Sequence, residues 1–113
     1  MAIPFSTNFN KTEPFSDTTA TIQLVANTPI TWTIPGNGTQ KYRAEFSFNS
    51  NDDIWVSKNY TAVIPVSNTV VTSTQQELRP MPKYVIGGDV LSLITTGSNV
   101  QCGIALFQIP NDR

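Results

Sequence analysis

The sequence contains no histidine and only one cysteine, Cys102. Histidine is the side chain that titrates between pH 5 and 8 and commonly serves as a general base, and histidine and cysteine are the usual ligands of zinc. A single cysteine cannot form a disulfide within the chain. We therefore expect a protein that is not an enzyme, with no catalytic residue, no cofactor and no metal site.

Charge is also scarce, since charged residues make up 13% of the chain and the net charge is −1. The usual share is about 25%. A chain this close to neutral has no field to attract nucleic acid or anionic membranes. The N-terminus, MAIPFSTNF, lacks the basic and apolar regions of a signal peptide, and no apolar run reaches membrane-spanning length. We expect no nucleic-acid partner, no membrane and synthesis in a cytoplasm.

What the chain has in abundance is alternation of apolar and polar residues, with turn residues between the runs. Such alternation predicts half-buried β-strands, and no stretch has a helical period. Spacings of this kind predict roughly seven to nine strands in an all-β domain, either a sandwich or a barrel. Of the two we expect an antiparallel β-sandwich that is jelly-roll-like. The clearest runs are Ala20–Leu24, Ile30–Ile34, Tyr42–Phe48 and Val100–Leu106.

The segment from Lys83 to Ile109 gives the strongest strand signal. An apolar run at 90–94 and an alternating run at 100–106 flank a Gly/Ser/Asn turn, which favours an antiparallel hairpin at the centre of the fold. Phe46 and Leu106 each lie in the middle of an apolar face and are expected in the core, as is Cys102.

Residues 1–17 differ from the sandwich domain that we expect over residues 18–113. Phe5, Phe9 and Phe15 are spread among Ser, Thr and Asn without any period, and two prolines interrupt the segment. This composition indicates an extended arm with aromatic anchors. The arm either wraps its own domain or lies on a neighbouring subunit or shell protein, and both alternatives remain open from sequence alone.

Two further features are candidates for a site. Trp55 lies between Ile54 and Val56 and must point away from them, and Tyr60 begins an apolar segment interrupted by Pro65, so both are candidate interface residues. The Asp52-Asp53 pair offers oxygen ligands for Ca²⁺, but an Asx-rich turn explains the same residues without a metal.

The order of these features resembles a known family. The segments "ANTPITWTIP", "KYRAEFSFNSNDDIWVSKN", "ELRPMPKYVIGGDVLSLIT" and "SNVQCGIALFQI" follow one another in a pattern that resembles small β-sandwich virion proteins of tailed bacteriophages, of the head decoration or capsid cement type. The resemblance covers residues 18–109 and does not include the arm. It implies a non-enzymatic virion protein whose partner is the major capsid protein or another virion protein.

The resemblance also implies a mechanism, namely burial of surface across neighbouring capsid subunits. A closed homo-oligomer such as a trimer would match the local symmetry of an icosahedral shell. Two alternatives remain. One is a tail, baseplate or fibre component, and the other is a carbohydrate-binding β-sandwich in which Trp55 and Tyr60 form the platform.

Overall fold

The structure is a computed structural model that describes residues 15–70 and 76–109. These residues form no helix, so none of them belongs to a helix long and apolar enough to cross a membrane. The prediction of an all-β domain is confirmed. The eight strands are β1 (Thr18–Gln23), β2 (Ile30–Thr33), β3 (Lys41–Phe48), β4 (Ile54–Lys58), β5 (Gln76–Leu78), β6 (Lys83–Ile86), β7 (Val90–Thr95) and β8 (Gln101–Ile109).

The strands form two antiparallel sheets of four. The first sheet has the order β1-β8-β3-β6, and the second has the order β2-β7-β4-β5. The first strand therefore pairs with the last, the second with the seventh, the third with the sixth and the fourth with the fifth. Only β4 and β5 are both consecutive in the chain and paired. Each of the other connections between consecutive strands takes the chain from one sheet to the other.

The expected hairpin between residues 90 and 106 is wrong. β7 pairs with β2 and β4 in the second sheet, whereas β8 pairs with β1 and β3 in the first. The strands within KYRAEFSFNSNDDIWVSKN do not form a hairpin either, because β3 and β4 belong to different sheets. A tight turn and an inter-sheet connection use the same Gly, Asn and Ser residues, so local pattern does not distinguish them.

Buried side chains from both sheets form one hydrophobic cluster. Residues that alternate along each strand point inward, as period-two patterning requires. Leu106 and Cys102 are fully buried, as predicted, whereas Phe46 is only partly buried and packs against the edge of the cluster. The cluster consists of Leu24, Ile34, Tyr42, Ala44, Ile54, Val56, Val85, Leu91, Leu93, Val100, Cys102, Ile104 and Leu106.

At one end of the two sheets, Arg79 in the connection after β5 bonds to the connection after β3. Nη1 of Arg79 donates to the carbonyl oxygens of Ser50 (3.1 Å) and Asp52 (2.8 Å), and its guanidinium lies 4.6 Å from the ring centroid of Phe48. At the same end, a Cβ on Gly97 would fall 2.5 Å from Cγ of Asp52. The connection after β7 therefore packs directly on the connection after β3, and a side chain at position 97 would require the Asp52 carboxylate to move.

The opposite end is held by backbone hydrogen bonds between residues 34–40 and 87–89. Ile34 N–H donates to the Asp89 carbonyl (2.8 Å), Gly88 N–H to the Ile34 carbonyl (2.9 Å) and Gly87 N–H to the Gln40 carbonyl (2.8 Å). The registers that pair Thr18 with Leu106, and Lys41 with Ile109, place the start of β1 and the end of β8 at this end too. Both ends of the described chain therefore emerge here.

Candidate functional site

The segment from residue 59 to 70 lies on the outer face of the second sheet. The backbone N–H of Ala62 donates to the hydroxyl of Ser92 on β7 at 2.9 Å. The side chain of Gln76 on β5 makes two bonds to the backbone of Val63, one at 2.9 Å to its N–H and one at 2.7 Å to its carbonyl. Ala62 and Ser92 are both buried. Residues 62 and 63 of this segment are therefore bound directly to the outer face of the sheet.

The start of the segment is fixed by Asn59, which has a positive φ of 64°. Its backbone N–H donates to the Val90 carbonyl (2.7 Å), and its side-chain oxygen accepts from Val90 N–H (2.9 Å). Its side-chain amide donates to Asp89 (3.2 Å), whose carboxylate also accepts from Ile86 N–H (2.9 Å). Asparagine tolerates the left-handed region better than most residues, so the chain leaves β4 in a fixed direction.

The 59–70 segment contains no charged residue. Four large apolar side chains on it are exposed: Val70 (84%), Val66 (69%), Tyr60 (49%) and Val63 (39%). Exposed apolar surface of this kind is typical of protein interaction sites. We call these four residues the apolar patch.

Trp55 lies on the outer face of the same sheet. It is in register with Leu78 on β5 and Ile94 on β7, and it is half-buried, while its neighbours Ile54 and Val56 are buried in the core. Tyr60 borders a shallow depression of about 440 Å³ with Thr31, Val90 and Ser92, which Trp55 does not line. The structure thus brings Trp55 and Tyr60 to one side of the second sheet without placing them in a common depression.

The predicted arm lies largely outside the described residues, and so do Phe5 and Phe9. Phe15, the last of the three aromatic anchors, is fully exposed. The chain is fastened two residues later, where Asp17 N–H donates to the Leu106 carbonyl (2.7 Å) and the Asp17 carboxylate accepts from Gln108 N–H (2.5 Å). β1 begins at Thr18, the first residue of the expected sandwich domain.

A cleft of about 370 Å³, not anticipated from the sequence, opens between the two sheets at the side of β5 and β6. Apolar side chains of both sheets line its interior, including Phe46, Val56 and Leu91. An ion pair between Glu77 on β5 and Lys83 on β6 joins the two sheets beside this cleft. Both charged residues occupy inward-facing positions on short edge strands. Isolated charges in strands of three and four residues give no pattern from which their meeting could be predicted.

The outer face of the first sheet is the other large exposed surface. The side chains at the centre of this face are polar or small. One end of the face carries Tyr84 (77% exposed) and Ile86 beside Arg43 and Phe107. The Arg43 guanidinium lies 4.6 Å from the Phe107 ring centroid and 3.1 Å from a Glu45 oxygen. Exposed ion pairs of this kind contribute little stability. This end of the face therefore matters as a surface on which aromatic, apolar and charged side chains lie together.

The Asp52-Asp53 pair lies in a turn that uses its own polar groups. The Ser50 hydroxyl donates to the Asp52 carboxylate (2.9 Å), and the Thr95 hydroxyl donates to the Asp53 carbonyl (2.8 Å). Residues 15–70 and 76–109 contain no group of three or more Asp, Glu or Cys side chains arranged to hold a metal ion. These hydrogen bonds join the turn to Ser50 and to Thr95 on β7.

Searches against protein-family models, curated proteins and solved structures find no match to this chain. The strand order and the exposed surfaces therefore carry the functional inference.

Proposed function

We propose that this chain is a virion structural protein of a tailed bacteriophage that binds the outer surface of the capsid as a decoration or cement protein. The observation that carries the proposal is the strand order, with β1-β8-β3-β6 in one sheet and β2-β7-β4-β5 in the other. Pairing of first with last, second with seventh, third with sixth and fourth with fifth is what results when one long antiparallel ribbon is wound into two sheets. This supports an eight-stranded jelly roll, an architecture that recurs in viral capsid and lectin domains.

The apolar patch is the surface that we assign to attachment. The cores of protein interfaces are depleted in charge, and the 59–70 segment carries no charged residue. The backbone of residues 62 and 63 is already held by Ser92 and Gln76, so little conformational entropy is lost when this part of the segment binds. Burial of the patch across neighbouring shell subunits would raise the free energy needed to separate them, because a ligand that binds only the assembled state stabilises it.

We further propose a closed homo-oligomer such as a trimer, located in the virion after synthesis in the host cytoplasm. Closed symmetry lets each copy present the same patch to equivalent positions of the shell. The predicted aromatic arm gives a second means of contact. It leaves from the end of the sandwich where β1 starts and β8 finishes.

The test is co-sedimentation of the purified protein with heads assembled from the major capsid protein of the same genome. We expect Val66→Asp to weaken binding by about tenfold or more, since an unpaired charge in an interface core costs well over 1.4 kcal/mol. Thr21→Asp is the matched control, because Thr21 is exposed on β1 at the outer face of the other sheet. Equal binding of the two variants would contradict the assignment of the patch, and absence of binding by the parent would contradict the cement function.

Two other functions predict different results. A tail, baseplate or fibre component would sediment with tails and leave heads unoccupied. A carbohydrate-binding module is favoured by the position of Trp55 and Tyr60 on one side of the second sheet, since jelly rolls also serve as lectins. Titration calorimetry against host cell-surface polysaccharide tests it, and Trp55→Ala should then remove the heat of binding.

A further inference from the structure

We infer that Asn37, in the connection between β2 and β3, is a site of spontaneous covalent modification, at which the side-chain amide is lost as ammonia through a cyclic succinimide. Asn37-Gly38 is the only Asn-Gly pair in the sequence. The inference concerns this connection alone and does not depend on the proposed function.

Access to the reacting atoms is unobstructed. The nucleophile in this reaction is the backbone nitrogen of Gly38, which must approach Cγ of Asn37. Both residues are exposed, and no heavy atom lies within 4 Å of the position that a Cβ on Gly38 would occupy. A glycine at this position removes the side chain that would otherwise shield its own nitrogen.

The hydrogen bonds of the turn favour the reaction electrostatically. Oδ1 of Asn37 accepts from the backbone N–H of Thr39 at 3.0 Å and from the Thr39 hydroxyl at 2.7 Å. The first bond curls the asparagine side chain over the intervening Gly38 peptide, and both bonds polarise the carbonyl. When nitrogen attacks Cγ, negative charge develops on Oδ1, where the two donors already point. Donors placed where charge develops lower a barrier in this way.

The chemistry balances with water as the only other reactant. The Gly38 nitrogen loses its proton and forms a bond to Cγ of Asn37, and the C–N bond of the side-chain amide breaks to release ammonia. Water then opens the five-membered ring at either carbonyl. Opening at one carbonyl gives aspartate, and opening at the other gives isoaspartate, in which the backbone runs through the former side chain.

The chain contains its own control in Asn49, which precedes Ser50 and is also exposed. Its side-chain amide donates to the Asn99 carbonyl (3.2 Å), and its side-chain oxygen accepts from Gln101 N–H (2.8 Å). These bonds hold both polar atoms of the Asn49 side chain against residues 99 and 101. Asn49 should therefore keep its amide under conditions in which Asn37 loses it.

The product alters a tightly built end of the domain. The Asn37 carbonyl accepts from Gln40 N–H at 3.1 Å, and a Cβ on Gly87 would fall 2.3 Å from that same carbonyl oxygen. Isoaspartate inserts one extra backbone carbon where no slack exists, and either product adds a negative charge. The backbone hydrogen bonds between residues 34–40 and 87–89 are therefore expected to weaken as the protein ages. They lie at the end of the domain from which both ends of the described chain emerge.

The experiment is incubation of the full chain at pH 8 and 37 °C, with peptide mapping by mass spectrometry over weeks. We expect Asn37 to convert at least about tenfold faster than Asn49, which corresponds to a barrier difference of about 1.4 kcal/mol. Gly38→Ala should slow conversion at Asn37 by a similar factor, and it should fold normally, since φ of Gly38 is not positive and the site is open. Equal rates at Asn37 and Asn49 in the parent would overturn the inference.

Thr39→Val separates the structural contribution from the sequence motif. It removes the hydroxyl donor and retains the backbone N–H and the Asn-Gly pair. We expect slower conversion, by about threefold or more, because one of the two donors to the developing charge is lost. An unchanged or faster rate in Thr39→Val, with its melting temperature equal to the parent's, would overturn the role of Thr39.

Discussion

The backbone N–H of Ala62 donates a 2.9 Å hydrogen bond to the hydroxyl of Ser92, and both residues are almost completely buried. Ser92 lies on β7, which is flanked by β2 and β4 in the second sheet. The segment that carries the apolar patch is thus attached to an interior strand of the sheet. A polar residue on the outer face of a sheet is ordinarily exposed, and here it is buried because the chain passes over it.

Ser92→Ala should therefore weaken the attachment of this segment. The substitution leaves the Ala62 N–H buried without its acceptor, which typically costs about 1–3 kcal/mol. We expect a lower urea midpoint and faster amide hydrogen exchange at residues 61–63. Ser98→Ala, in an exposed connection, is the matched control and should change neither. A parental midpoint and parental exchange in Ser92→Ala would show that this bond does not hold the segment.

The burial of Leu106 and Phe46 predicts an order of stabilities. Leu106 is fully buried between the sheets, so Leu106→Ala should cost about 2–5 kcal/mol. Phe46 is only partly buried and lines the open cleft. Phe46→Ala should therefore cost less than the roughly 3–5 kcal/mol of a fully buried phenylalanine. Urea unfolding of both variants decides the order, and a larger loss in Phe46→Ala would mean that the cleft is closed in solution.

Cys102 predicts a dependence of stability on alkaline pH. Burial raises the pKa of its thiol from 9.0 to about 12. Above pH 9 the unfolded thiol ionises while the folded thiol keeps its proton, so unfolding releases a proton and stability falls as pH rises towards 12. Comparison with Cys102→Ala isolates this slope from other groups that titrate in the same range.

The same burial should make the thiol unreactive in the native protein. We expect a thiol-specific disulfide reagent to leave Cys102 unmodified at pH 8 and to label it fully in urea, because the thiolate is the reactive form and access is blocked. Rapid labelling of the native protein would contradict the burial of Cys102.

Strand positions could be predicted from the sequence, but the pairing of strands could not. Alternation around Phe48 and Leu106 gives the correct strands because the first sheet has one buried and one exposed face. The sequence between β7 and β8 predicts a hairpin, which is wrong, since Gly97 and Asn99 suit either a hairpin or a connection between sheets. The choice depends on long-range contacts, such as the packing of Gly97 on Asp52, which leave no local signal.

The candidate surfaces, too, could be predicted from the sequence only in part. Pro65 correctly indicated a break in the strand pattern after Tyr60, because proline cannot donate to a sheet ladder. Nothing local indicated that Ser92 would be covered by that segment, or that Glu77 and Lys83 would meet across the edge of two sheets. These arrangements arise from the order of strands within the sheets, and the sequence alone does not determine that order.

The last prediction concerns residues 1–16, whose three phenylalanines are spread over a segment with two prolines and no period. Burial of one phenylalanine side chain contributes about 1.5–3 kcal/mol, while ordering of the backbone costs roughly 1–2 kcal/mol per residue. Three anchors do not offset the ordering of sixteen residues, so a bound arm must also form backbone hydrogen bonds with its partner. We propose that this partner is a neighbouring subunit or capsid protein.

Deletion of residues 2–16 should leave the sandwich folded, because Asp17 retains both of its bonds to β8. We expect a parental urea midpoint, together with weaker oligomerisation by sedimentation velocity and weaker binding to heads. The double variant Phe5→Ser/Phe9→Ser is the companion test, since it removes two anchors and keeps the length of the chain. If the truncated protein assembles and binds heads like the parent, the arm makes no contact outside its own domain, and the apolar patch alone must account for attachment.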